Sequence, residues 1–212
     1  MRLPALVSVT AASMVVVGCA ARGPVLDGTR DITRPPRPGV VVAAPHGRSD
    51  QGTAAMATEI ALLTGFGLVV GTEPGEAEGA AYERRVRDAA RGPLTFYVEI
   101  HGNSRRESAD RIEIETVGFD AEQAQKLRTL LELVRDAHLR PRPSALRLAV
   151  RVEPAEIDAA WGVRRAGILR LPQRALSIEL PRVARQEGRE LYTLILADFL
   201  REAITVPLPA RR

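Results

Sequence analysis

The sequence predicts an α/β fold: a three-layer α/β/α sandwich with a mixed, mostly parallel sheet. Short β-branched runs alternate along the chain with segments whose apolar residues recur at helical spacing. Two later strands carry opposite charges on their outward positions, which predicts at least one antiparallel pair. The 212 residues, 45% of them hydrophobic, suffice for one domain with a buried core.

The first part of the domain reads as strand, helix, strand, helix. Gly39 opens a β-branched run (GVVVAA), and apolar residues then recur at helical spacing from Thr53, a candidate N-cap, to Gly65. A second strand is expected at residues 67–72, followed by an acidic loop. The next helix carries its apolar face on Tyr82, Val86 and Ala89.

The second part begins with a cleanly alternating strand at residues 94–100, which leaves His101 at its carboxyl end. Two further alternating strands are expected at residues 111–117 and 147–152. Residues 174–180 form the last strand. Two helices complete the pattern, with apolar faces at Leu127, Leu130, Leu131 and Val134, and at Leu191, Leu194, Ile195 and Phe199.

The amino terminus has the pattern of a secretory signal. A positive start at Arg2 precedes an uncharged, mostly apolar stretch at residues 3–17, which is shorter than the roughly 20 residues of a membrane-spanning helix. Val16-Val17-Gly18-Cys19 resembles the lipobox of bacterial lipoproteins, in which the cysteine is acylated; the alternative is an ordinary signal with a chance cysteine. Because Cys19 is the only cysteine, it forms no internal disulfide.

This pattern predicts three regions: a lipoprotein signal peptide at residues 1–18, a flexible tether at 19–38 and a single domain at 39–212. The lipid on Cys19 would anchor the protein to the cell envelope. Ala20 resembles the sorting class of the outer membrane, on the side that faces the periplasm. A net charge of +4 and an aromatic content of 4% do not indicate a nucleic-acid partner.

Two histidines share one setting, in which each leaves a strand and is followed by glycine: Pro45-His46-Gly47 and Ile100-His101-Gly102. Ligands of open α/β sheets bind at the carboxyl ends of strands, and glycine there allows close approach of backbone or substrate. Asp50 follows His46 by four residues. A close pair of N and O ligands with a distant third is the layout of a catalytic zinc site, so His46, Asp50 and His101 are candidate Zn²⁺ ligands.

A zinc hydrolase also needs a general base, and the strands offer Glu99 and Glu179. Alternation alone leaves two interpretations of Glu179 open, since its face could equally be solvated. Glu99 shares the face of His101 and could orient its ring.

Arg48, between the two early ligands, and Asn103 and Arg105, after His101, are candidates to stabilise an oxyanion or hold a substrate carboxylate. His138 lies at a helix end, where a cation complements the helix dipole, and is interpreted as structural.

At these residues the sequence resembles the N-formylglutamate amidohydrolase family, within the wider zinc-carboxypeptidase-like group. The segments VVAAPHGRSDQGT, FYVEIHGNSRRES and ALSIELPR carry the resemblance. It implies a three-layer sandwich, His46, Asp50 and His101 as zinc ligands, and Glu179 as the general base. The acid four residues after His46 departs from the carboxypeptidases, in which a glutamate follows three residues after the histidine.

The leading hypothesis is therefore a zinc-dependent hydrolase that cleaves an amide or peptide bond of a carboxylate-bearing substrate, such as a small peptide or N-acyl amino acid, at the envelope. The alternative is a non-catalytic lipoprotein that uses the same scaffold to bind cell-wall peptides or a protein. A third, weaker possibility is a phosphoesterase, for which the chain offers few carboxylate ligands for a second metal.

Overall fold

The computed structural model describes residues 35–72, 79–153 and 167–207, which all belong to one unit, Ile32–Arg212. The expected signal peptide, Cys19 and most of the expected tether lie outside these residues. Within the described ranges, no helix has the length and apolar character required to span a bilayer.

Six strands form one mixed sheet in the order β2-β1-β3-β6-β4-β5. The strands are β1 (Val40–Ala44), β2 (Gly67–Val70), β3 (Phe96–Asn103), β4 (Arg111–Val117), β5 (Ala149–Val152) and β6 (Arg174–Pro181). All neighbouring pairs are parallel except β4 and β6. The predicted mostly parallel sheet with an antiparallel pair is confirmed, although the two oppositely charged strands, β4 and β5, pair in parallel with each other.

The described residues also form five α-helices, of which the last two follow β6: α1 (Thr53–Thr64), α2 (Ala80–Ala90), α3 (Ala121–Leu139), α4 (Arg182–Arg185) and α5 (Arg189–Ala203). Single 3₁₀ turns lie at Arg106–Ser108 and Gly167–Arg170. The sequence missed α4. Thr53 is the first helical residue of α1, so the N-cap is Gly52 rather than Thr53. Gly52 adopts the left-handed region, at φ 91°, which glycine tolerates.

Two apolar cores lie on opposite faces of the sheet and make the fold three-layered. Val40, Val42 and Ala44 of β1 pack into the larger core with residues of α1, α3 and α5, while Val41 and Ala43 pack into the smaller core with α2 and the 167–170 turn. Every residue of β1 is buried, since the strand lies between two layers. The predicted three-layer α/β fold is therefore confirmed.

This topology brings distant parts of the chain to one edge. Because β1, β3 and β6 are parallel, their carboxyl ends meet at the same edge of the sheet. The antiparallel strand β4 adds its amino-terminal half beside the end of β6.

Candidate functional site

At this edge His46 follows β1, His101 lies near the end of β3, and Glu179 lies near the end of β6. The rings of His46 and His101 have centroids 5.3 Å apart. His101 lies directly opposite Glu179 in the parallel ladder, so the two side chains share a face of the sheet. His46 is exposed in a tight turn, whereas His101 and Glu179 are buried. The structure therefore brings together three residues that are far apart in the sequence.

Asp50 joins this group through the backbone of β3. Its Oδ2 accepts a hydrogen bond of 2.8 Å from the amide of Gly102, the residue after His101. The turn that carries Asp50 is closed by its own amide, which donates to the His46 carbonyl at 2.7 Å. All three predicted zinc ligands thus lie within one short stretch of the sheet edge.

Glu99 fixes one nitrogen of His101. The Nε2 atom of His101 lies 3.0 Å from Oε2 of Glu99, two residues earlier on the same face of β3. Burial by itself lowers the pKa of His101, but the hydrogen bond and charge of Glu99, with the charges of Asp50 and Glu179, raise it above its ordinary value. The potential at this ring is therefore negative and favours a bound cation.

A buried tyrosine pair lies below Glu99 on the same face. The hydroxyl of Tyr97 is 3.4 Å from that of Tyr82. Burial raises the pKa of Tyr97 well above its ordinary value, and the negative charge of Glu99 adds to this effect. Tyr97 therefore stays protonated and can only donate or accept a hydrogen bond here.

The residues present match zinc in donor chemistry, since two imidazoles and a carboxylate converge in a negative potential. They do not form a closed coordination sphere: among residues 35–72, 79–153 and 167–207, no three His, Cys, Asp or Glu side chains are grouped closely enough to hold a metal ion. Asp50 is bonded to the Gly102 amide, and His101 to Glu99 through Nε2. The Nδ1 atom of His101 is the nitrogen that this arrangement leaves for a metal.

Glu179 belongs to a second network, centred on Glu113. Arg105 Nη2 donates to Oε2 of Glu113 at 2.9 Å and to Oε2 of Glu179 at 3.0 Å. Asn103 Nδ2 and Ser108 Oγ donate to the two oxygens of Glu113, each at 2.9 Å. The network holds the Glu179 carboxylate beside a guanidinium at the sheet edge.

The three polar residues predicted to contact substrate have different surroundings. Arg48 is exposed in the turn between His46 and Asp50. Asn103 is buried, and its Oδ1 accepts from the Arg105 amide at 2.9 Å. Arg105 is partly exposed and bonded to two carboxylates, so both it and Asn103 hold protein groups in this structure.

Two residues of the site, Glu113 and Arg185, were not predicted from the sequence. Glu113 was visible only as one of two outward acids in RIEIETV, and no local signal distinguishes it from Glu115. Arg185 follows the IEL segment of β6 in a short helix that the sequence did not predict, in a chain with 30 lysine and arginine residues.

No protein-family model matches the sequence, and no curated protein is significantly similar to it. Among solved structures, the chain is similar to a bacteriophage poly-γ-glutamate hydrolase, at 17% identity over 81% of this chain and 85% of that chain, with a TM-score of 0.40.

An N-acetylmuramoyl-L-alanine amidase from Clostridium difficile is 16% identical over 79% of this chain and 95% of that chain, with a TM-score of 0.45. The zinc-free apo form of YNDL is 15% identical over 79% and 86%, with a TM-score of 0.47.

Proposed function

We propose that this chain is a zinc-dependent hydrolase of an amide or peptide bond in carboxylate-bearing substrates, similar in activity to the N-formylglutamate amidohydrolases. One observation carries the proposal: His46, Asp50, His101 and Glu179, from three separate segments, meet at the carboxyl edge of parallel strands. Two imidazoles, an acid ligand and a second carboxylate are the groups that metal-assisted hydrolysis requires.

In this proposal His46, Asp50 and His101 hold the metal, and Glu99 orients His101 through Nε2. When bound, zinc supplies Lewis-acid polarisation of the carbonyl and makes water more acidic. Glu179 takes a proton from the attacking water at its carboxylate as the new C–O bond forms. It then passes that proton to the leaving nitrogen as the C–N bond breaks.

Arginines supply the remaining contacts. Arg105 already bridges two carboxylates, so its role is to hold Glu179 in place. Arg48 is exposed in the turn between two of the proposed ligands, and this position makes it the candidate for binding a substrate carboxylate or the oxyanion.

Membrane attachment through Cys19 is a separate proposal. It rests on the lipobox-like segment, which lies outside the described residues. An anchored domain at the periplasmic face of the outer membrane would meet small peptides and N-acyl amino acids from the envelope.

A second candidate is a non-catalytic envelope protein that binds peptides. Two observations favour it: the described residues hold no closed metal group, and Glu179 is ion-paired with Arg105. Such a protein would bind its ligand equally well with and without zinc.

Hydrolysis tests the proposal. The chain, extracted in detergent, is incubated with N-formyl-L-glutamate and with a panel of N-acyl dipeptides, and the released amines are measured. The hydrolase proposal predicts turnover that a chelator abolishes and added zinc restores. Chelator-insensitive turnover, or ligand binding without any turnover at saturating zinc, would contradict it.

A further inference from the structure

A buried arginine outside the proposed ligand set touches all the segments that carry the site. Arg185 lies in α4 and is only 7% exposed. Its Nε donates to the carbonyl of Leu180, next to Glu179, at 3.0 Å. Its Nη1 donates to the carbonyl of Gln51, next to Asp50. One guanidinium thus bonds the end of β6 to the turn after β1.

The third segment, the end of β3, lies flat against the same guanidinium. A Cβ atom placed on Gly102 would be 2.7 Å from Cζ of Arg185 and 2.9 Å from both terminal nitrogens. Real side chains do not approach this closely, and the guanidinium cannot retreat without breaking its bonds to Gln51 and Leu180. The glycine after His101 is therefore required by Arg185, a protein neighbour.

Asp50 and the residues after it complete these contacts. The Asp50 carboxylate accepts a hydrogen bond from the Gly102 amide. Burial lowers the pKa of Arg185, and the negative charge of Asp50 acts in the opposite direction, so the two groups lie close together. A Cβ on Gly52 would lie 2.2 Å from the Arg185 carbonyl. The neighbouring Gln186 Nε2 donates to Oε1 of Gln51 at 2.8 Å.

We infer that Arg185 is a positioning residue that locks the turn of Asp50, the end of β3 at His101 and the end of β6 at Glu179 into one arrangement. A planar guanidinium has donors in fixed directions, so it can bond two carbonyls while its face packs against the backbone of a third segment. The three segments have no sequence proximity, and Arg185 joins them near the residues whose spacing decides whether a metal can bind.

Amide hydrogen exchange on the metal-free chain tests this inference independently of the proposed function. Arg185→Ala should speed exchange at least about tenfold in peptides that cover residues 46–53, 100–103 and 177–180, and leave α3 unchanged. Arg182→Ala is the matched control, because Arg182 is exposed on the same short helix and bonds only Gln186 among the contacts described. Unchanged exchange in the three segments, or an equal rise in α3, would overturn the inference.

A double-mutant cycle gives the second readout and rests on the proposed function. Cobalt(II) is titrated into the wild-type chain, Gly102→Ala, Arg185→Ala and the double variant, and its absorption bands report binding. Each single variant should weaken cobalt binding about tenfold, and Gly102→Ala should add less than about twofold in the Arg185→Ala background, because its collision partner is gone. Additive effects of the two substitutions would overturn the inference.

The two readouts separate the possible failures. A wild-type chain that binds no cobalt contradicts the proposed function, while the exchange experiment still decides whether Arg185 joins the three segments. If the wild-type chain and Arg185→Ala bind cobalt equally tightly, only the role of Arg185 is contradicted, and the proposed function is unaffected.

Discussion

His101 and Glu179 lie directly opposite each other on the adjacent parallel strands β3 and β6, with both side chains on the same face of the sheet. Glu113 continues the row on β4, where it lies opposite Glu179 in the antiparallel ladder. His101 and Glu179 are only 9% and 7% exposed. An imidazole and two carboxylates therefore lie in a row on three adjacent strands, near the end of the sheet where ligands of α/β proteins bind.

Glu179→Gln should abolish catalysis while leaving metal binding intact. The amide has nearly the same shape but cannot accept a proton, so kcat for N-formyl-L-glutamate should fall about 10²- to 10⁴-fold with KM and zinc content unchanged. Glu202→Gln, on the exposed side of α5, is the matched control and should retain wild-type kcat. Wild-type turnover in Glu179→Gln would remove this residue from the mechanism.

Glu113→Ala should destabilise the protein, because its carboxylate accepts from Asn103, Arg105 and Ser108. The loss should be about 2 kcal/mol in the free energy of unfolding, since charge-assisted bonds of a largely buried group are removed. Urea denaturation measures it. Glu122→Ala breaks an exposed pair with Lys126 and should cost much less, because solvent screens this pair. Equal losses in both variants would show that the Glu113 network adds no stability.

His138 should make the protein less stable at mildly acidic pH. Burial and the charges of Arg142 and Arg201 lower its pKa from 6.5 in the folded chain, although Nε2 lies 2.8 Å from Oδ2 of Asp198. We therefore take the ring as a neutral donor to that carboxylate.

The unfolded chain then binds more protons at His138, so its contribution to stability is present above the unfolded pKa and is lost as the pH falls through the lowered value. Between about pH 7 and pH 5, the free energy of unfolding should fall more steeply in the wild type than in His138→Gln. Parallel pH profiles would contradict this account.

Periodicity predicted the strands and the position of His101 because both depend on local patterns. Phe96, Val98 and Ile100 alternate toward one core, and that alternation places His101 on the opposite face at the end of β3. Glycine after each strand-end histidine was also visible, but its physical cause was not. Gly47 packs against Val70 and Gly102 against Arg185, contacts that only the assembled sheet creates.

The contacts of Arg185 and His138 could not be predicted because their partners lie far along the chain. The Glu113 network uses nearby residues, but it reaches Glu179 through Arg105, 74 residues away. Arg185 bonds Gln51, and His138 meets Asp198 on another helix. His138 was expected as a cation at a helix end, but burial and nearby arginines lower its pKa and favour the neutral ring. Strand direction was equally invisible: β4 does pair with β5, the strand of opposite charge, but in parallel, and its antiparallel partner is β6.

Metal stoichiometry tests the central claim most directly. The chain is purified in detergent without chelators, and zinc per chain is measured for the wild type, His46→Ala and His101→Ala. The proposed site predicts about one zinc per wild-type chain and its loss in both variants. A wild-type chain without stoichiometric metal, or zinc retained in both variants, would contradict a metal centre at His46 and His101.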